Sequence, residues 1–151
     1  MPRVVPAFLV LLSLLGSPDA GPSPSNPGSE AAIPGFCAFD VVCDGGEDPL
    51  AAWQVEVEAP KASYRLVGVE GGESPAFAEP PRFDPAALGG GLVKLAALSL
   101  ARDLPKGRTR VARLHFECVG EPAVMPALRP IAAAGPEGRR LSVGFRLERS
   151  R

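Results

Sequence analysis

The chain has 151 residues, with 16 Lys and Arg against 17 Asp and Glu and a formal net charge of −1. This balance excludes the basic footprint of a nucleic-acid-binding domain and a polybasic membrane patch. The 18 Pro and 17 Gly residues predict many turns and few long helices.

The first 20 residues have the pattern of a secretory signal peptide. Arg3 supplies a positive charge, residues 4–15 are mostly apolar, and small residues follow up to Ala20. About a dozen apolar residues are too few for a membrane span, which needs roughly 20. We therefore predict a secreted or periplasmic protein without a membrane span. Residues 21–35 are rich in Pro, Ser and Gly and are predicted to form a linker.

The remaining residues, 36–149, are predicted to form one domain of β-strands. Alternation of apolar and polar residues indicates strands at 36–44, 52–59, 64–69, 92–99, 109–119 and 141–148, and a weaker candidate at 125–131. The evenly apolar run 92–99 is typical of a central strand, and Asp84–Leu88 is expected to form a single helical turn. Strands with one apolar face need two packed sheets, so the fold class is an all-β, antiparallel two-sheet β-sandwich.

Two of these strands carry polar rows that are candidate protein-binding surfaces. In the strand at 52–59, Gln54, Glu56 and Glu58 alternate with the apolar Trp53, Val55 and Val57. In the strand at 109–119, Arg113, His115 and Glu117 alternate with the apolar Ala112, Leu114, Phe116 and Cys118. Because successive side chains of a strand point to opposite faces, the apolar rows are predicted to face the core. The two polar rows form one surface if their strands share a sheet.

Three cysteines in an exported chain suggest a disulfide. On one extended strand, Cys37 and Cys43 would lie about 20 Å apart, too far for a bridge. The candidate disulfide therefore joins Cys118 to Cys37 or to Cys43, unless the strand breaks between those two. Three free, buried cysteines are the alternative.

No residue pattern indicates catalysis or a cofactor. His115 is the only histidine, and neither a metal-ligand spacing nor a G-x-S-x-G elbow is present. Asp40, Asp44, Glu47 and Asp48 surround a Gly-rich turn and carry oxygen ligands suited to Ca²⁺. The D-x-[DN]-x-[DN]-G pattern is missing there, which favours a solvated acidic loop. We expect neither enzymatic activity nor a cofactor.

Across residues 38–147 the sequence resembles a bacterial cohesin domain. The resemblance lies in the order and spacing of the segments LAAWQVEVEAP, YRLVGVEGG, FDPAAL, LVKLAALS and GRTRVARLHFEC. It implies a jelly-roll-like sandwich of nine strands, related to carbohydrate-binding modules, whose partner is a dockerin-like or other protein. Cohesins usually have a further strand before the segment at Phe39, where this chain has the Pro-rich linker.

The predicted function is that of a secreted, non-catalytic binding module of cohesin-like type, which binds a protein at or outside the cell surface. The alternative is a carbohydrate-binding module linked to polysaccharide breakdown. Flat polysaccharide-binding faces expose aromatic rings, whereas the position of Trp53 in its strand is that of a core residue.

Overall fold

The computed structural model describes residues 34–119 and 124–151, which fold into strands and three short 3-10 turns. The strands are β1 (Pro34–Asp44), β2 (Ala52–Glu58), β3 (Tyr64–Gly71), β4 (Leu92–Leu98), β5 (Arg108–Val119), β6 (Ala127–Ala134) and β7 (Gly144–Arg149). Sheet A has the order β3-β5-β1-β7, and sheet B has the order β4-β2-β6. All neighbouring strands are antiparallel, so the predicted two-sheet β-sandwich is confirmed.

The sandwich begins slightly earlier than the sequence predicts. Pro34 and Gly35, assigned above to the linker, pair with Val119 and Cys118 of β5. A proline is tolerated at the first position of a strand, where its missing N–H leaves no ladder bond unmade. The predicted signal peptide and the remainder of the linker lie outside the described residues. The described residues form seven strands, compared with the nine that the cohesin resemblance implies.

The core forms where the inward rows of the two sheets meet. Trp53 is 2% exposed and Phe116 1% exposed, as the alternation predicts. Phe39, Tyr64 and Phe116 pack edge to face, with ring centroids 5.6–5.9 Å apart. Aromatic pairs in this geometry add to the stabilisation that burial provides. This cluster connects β5, which carries one of the two candidate polar rows, to its neighbours β1 and β3.

Strand β4 is an edge strand, so the prediction of a central strand at 92–99 is wrong. Its inner residues Val93 and Leu95 are buried, but its outward residues Leu92 and Leu98 are 48% and 70% exposed. The even apolar pattern therefore reflects an apolar outer face rather than burial on both faces.

The last strand starts later than predicted. Leu141 is buried, but its N–H donates to the carbonyl of Ala133, which belongs to β6 of sheet B. The chain then crosses to sheet A and enters β7 at Gly144. The candidate strand at 125–131 exists as β6, Ala127–Ala134. Its Pro130 is accommodated because β6 is an edge strand with a bulge at this point.

Three of the four sheet edges are covered by other described residues. At β3, Leu66 exchanges backbone hydrogen bonds with Gly89 and Gly90. At β4, Ala96 exchanges two with Arg82, and at β6, Ala133 accepts one from Leu141. The outer edge of β7 has no such bond from a described residue. An uncovered edge presents backbone donors and acceptors to other chains.

The disulfide joins Cys37 to Cys118, with 6.4 Å between their Cα atoms. The register of β1 against β5 explains why the partner of Cys118 is Cys37 and not Cys43. Cys37 lies opposite Phe116, beside Cys118, whereas Cys43 lies opposite Thr109 near the other end of the β1–β5 ladder. Cys43 is a free, buried thiol, and burial raises its pKa to about 11, with a smaller contribution from the negative charge of Asp44.

Alkylation followed by mass spectrometry should show this arrangement directly. At about pH 8 the native protein should take up no label, because Cys43 is 1% exposed and its thiol stays protonated. In urea without reductant, Cys43 alone should be labelled, and reduction should expose all three cysteines. Labelling of Cys37 in unreduced urea would contradict the pairing.

Candidate functional site

The two predicted polar rows do not form one surface. Gln54, Glu56 and Glu58 belong to β2 in sheet B, whereas Arg113, His115 and Glu117 belong to β5 in sheet A. Because each row points away from the core of its own sheet, the rows lie on opposite outer faces of the sandwich. The condition for one shared surface, that the two strands belong to the same sheet, is therefore not met. Alternation within a strand shows which residues face outward, but it does not show which sheet the strand joins.

On the outer face of sheet A, the predicted residues pair with neighbouring strands. Arg113 donates two hydrogen bonds, of 2.7 and 3.1 Å, to the carboxylate of Asp40 on β1. Nε2 of His115 lies 2.9 Å from a carboxylate oxygen of Glu70. The two atoms are close enough for an ion pair, but they are not aligned as a hydrogen bond. Glu117 forms an ion pair with Arg65. These contacts connect β5 to the strands on both of its sides.

Around Arg113, His115 and Glu117, this pairing matches each charged side chain with an opposite charge on a neighbouring strand. The hydrogen bonds with Asp40 raise the pKa of Arg113 above its usual value, so its positive charge is secure at any physiological pH. Bidentate arginine–carboxylate pairs are among the strongest hydrogen-bonded contacts in proteins. Arg113, His115 and Glu117 therefore each have a partner within the sheet, and their role in protein binding stays a prediction.

On sheet B, the carboxylate of Glu56 is also paired with positive charges on the neighbouring strands. It lies opposite Lys94 on β4 and Arg129 on β6 and is 2.7 Å from the Arg129 guanidinium and 3.6 Å from the Lys94 ammonium. The hydrogen bonds from Arg129 hold the pKa of Glu56 below its ordinary value, with a further contribution from Lys94. Glu58, in the next outward position, is exposed.

Beside this ion-paired row, the outer face of sheet B becomes apolar. Gln54 lies between Ala96 and Ala132, and the next row consists of Ala52, Leu98 and Ala134. These six residues line an open groove of about 660 Å³, with a wall formed by residues 79–82 next to β4. Ala76, Ala97 and the buried Trp53, Phe77 and Ala133 also contribute to its lining. We call this surface the alanine groove.

Gln54 is the polar group in the middle of the alanine groove. Its side chain is partly exposed, and no described residue forms a hydrogen bond with its amide. A side-chain amide offers both a donor and an acceptor, so it can pair with a backbone amide of a second molecule. Gln54 therefore lies on an open surface with unused hydrogen-bonding capacity, as does the exposed Glu58 beyond the ion-paired row.

The alanines of the groove were not predicted as site residues. Ala52 and Ala96 read as ordinary strand residues, and Ala132 and Ala134 lie beyond the end of the candidate strand at 125–131. The signal that was available is the apolar outer row of β4, where Ala96 and Leu98 occupy positions that an exposed face normally fills with polar residues.

The acidic loop does not assemble a metal site among the described residues. Asp40 is bound to Arg113, and Asp48 lies 2.7 Å from Arg139. The carboxylate of Asp44 accepts a hydrogen bond from the N–H of Gly46, in the manner of a turn. The described part of the chain contains no group of three or more His, Cys, Asp or Glu residues with the geometry to hold an ion. Asp40 and Asp44 belong to β1, and Glu47 and Asp48 lie in the turn that follows it.

No family model, curated protein or solved structure matches the chain. Within the described residues, no helix has the length and apolar character to span a membrane.

Proposed function

We propose that this protein is an exported, non-catalytic binding module of cohesin-like type that binds a protein partner through the alanine groove. The observation that carries the proposal is the contrast between the two outer faces. The central part of the sheet A face, around β5, is occupied by ion pairs between strands, whereas sheet B presents an apolar floor around Gln54. Protein interfaces commonly have this composition, with an apolar centre and a charged rim.

The partner that fits this surface has small or flat apolar side chains and a carboxylate beside them. The alanine floor allows the backbone of a partner to approach closely. At one end of the groove, Lys94 and Arg129 are each 65% exposed and share the single carboxylate of Glu56. Together with Arg82 in the groove wall, these two cations would attract an acidic group of the partner, whereas Glu79 in the same wall would oppose it. Such rim charges mainly affect association rate and selectivity.

A protein partner is favoured over a polysaccharide because the groove has no exposed aromatic ring. Trp53 and Tyr64 are 2% and 4% exposed, and both contribute to the core. Phe36 is 81% exposed, but it belongs to β1 in sheet A, away from the groove. The carbohydrate-binding alternative is therefore left without a stacking platform on this surface.

A bulky charged substitution in the groove should abolish partner binding without harming the fold. Ala132 is exposed and lies beside Gln54, so Ala132→Arg places a long cation on the groove floor. We expect affinity for a captured extracellular protein to fall by about 30-fold or more, the loss typical of a central interface position. Surface plasmon resonance with the immobilised module measures this.

The matched control is Ala86→Arg, the same substitution at an exposed alanine in the helical turn Pro85–Ala87. A protein retained by the unmodified module and by the control, but not by Ala132→Arg, would support the proposal. Equal retention by both variants would place the binding site elsewhere. If soluble polysaccharide in a native gel slowed the migration of the module, and if Ala132→Arg removed this effect, the carbohydrate-binding alternative would be favoured.

A further inference from the structure

Strand β7 combines an edge that no described residue covers with a charge pattern that complements itself. β7 is the last strand of sheet A and pairs with β1 on its inner side only. The edges of β3, β4 and β6 are covered, as described above, whereas no described residue bonds to the outer edge of β7. An open cleft of about 450 Å³ lies between β6 and the start of β7, so part of the space beside this edge is unfilled.

The backbone groups that face outward along β7 can be identified from its pairing. The N–H of Ser150 donates to the carbonyl of Ala38, which identifies this as a hydrogen-bonded position of the β1–β7 ladder. Such positions alternate along an antiparallel strand. Gly144, Arg146 and Glu148 therefore also bond toward β1, and the backbone groups of Phe145, Leu147 and Arg149 point to the free edge.

These outward groups select one way of pairing β7 with a second β7. If the two copies are antiparallel and centred on Leu147, then Leu147 bonds to its counterpart and Phe145 bonds to Arg149 of the second copy. This register uses every outward backbone group of the strand. If the pair is centred on Arg146 instead, the outward backbone groups of Arg149 have no partner in β7 of the other copy. If it is centred on Glu148, those of Phe145 have none.

The side chains between these positions select the same register. With Leu147 at the centre, Arg146 of each copy lies directly opposite Glu148 of the other. Directly opposed residues at such non-hydrogen-bonded positions are close, with Cα atoms about 4.5 Å apart, so opposite charges there stabilise the pair. Centring on Arg146 would oppose two arginines, and centring on Glu148 would oppose two carboxylates. Both the charges and the backbone therefore disfavour the shifted registers.

We propose that two copies of this chain associate edge to edge through β7, in antiparallel register centred on Leu147, so that the two copies of sheet A form one continuous sheet. Within one copy, Arg146 lies 2.6 Å from Glu148, and Glu148 also binds Arg108 on β5. In the dimer, Arg146 pairs with Glu148 of the second copy instead of Glu148 of its own copy. Arg108 continues to bind Glu148 of its own copy. The two-fold arrangement closes on itself and does not propagate into a fibre.

Charge reversal tests the register as well as the contact. Sedimentation velocity over a range of concentrations should show a monomer–dimer equilibrium for the unmodified protein. Arg146→Glu places two carboxylates opposite each other at both ends of the contact, and Glu148→Arg places two arginines there. We expect each variant alone to dimerise about tenfold more weakly or worse.

Mixing the two variants should restore dimerisation, because every opposed pair in the mixed dimer has opposite charges. The control is Arg65→Glu on β3, away from β7, which breaks the ion pair with Glu117 of β5 and should leave dimerisation unchanged. Thermal unfolding of each variant establishes that it is folded. A protein that stays monomeric at all concentrations, unaffected dimerisation of either single variant, or failure of the mixture to form the mixed dimer would each overturn the proposal.

Discussion

Replacing Phe116 by alanine should lower the free energy of unfolding by about 3–5 kcal/mol. Phe116 is 1% exposed, and its ring packs edge to face against both Phe39 and Tyr64. The substitution removes a large apolar side chain from between the sheets and leaves a cavity that the surrounding strands cannot fill. Urea unfolding followed by tryptophan fluorescence measures the loss, because Trp53 is the only tryptophan.

The neighbouring residue provides a matched control for this measurement. His115 is next in the chain but faces outward, where its side chain is 36% exposed beside Glu70. His115→Ala should change the unfolding free energy by no more than about 0.5 kcal/mol. Equal losses for the two variants would mean that the register of β5 is shifted by one residue.

Loss of the disulfide should have an effect of similar size. Cys37 and Cys118 are separated by 81 positions, so their bond closes a long loop in the unfolded chain. Cys118→Ala should therefore lower the unfolding free energy by about 2–5 kcal/mol. Urea unfolding with and without reductant measures this contribution.

Reduction separates the covalent contribution from the loss of a buried side chain. Reductant should bring the unmodified protein close to the stability of Cys118→Ala and should leave that variant unchanged. Cys43→Ala, which removes the free thiol, should keep the full sensitivity to reductant. Reductant-sensitive stability in Cys118→Ala would contradict the Cys37–Cys118 bond.

The sandwich could be predicted because its determinants are local. Trp53 and Phe116 lie at apolar positions of alternating strands, and one residue of offset would have exposed a whole row. The helical turn after Asp84 was also predictable, since the carboxylate of Asp84 accepts a hydrogen bond from the N–H of Ala86 at 2.9 Å. These features depend only on residues close in the chain.

The candidate site could not be assembled from the sequence because it depends on which strands are neighbours. Glu56 meets Arg129 across a separation of 73 residues, and Asp40 meets Arg113 across the same separation. Nothing in the local pattern around Glu56 shows that two cations will share its carboxylate. The same limit applies to β4. Its local sequence does not show that the strand lies at the edge of sheet B with apolar residues on its outer face.

The position of the disulfide determines how the module responds to mechanical load. The described chain enters the sandwich at Pro34, three positions before Cys37, and its last strand ends at Arg149. A pulling force between the two ends passes through Cys37 directly to Cys118. The 80 residues between these cysteines are therefore outside the load path. Under tension only the residues before Cys37 and after Cys118 can be drawn out, and the residues that form β2, β3 and β4 are shielded from extension by a covalent bond.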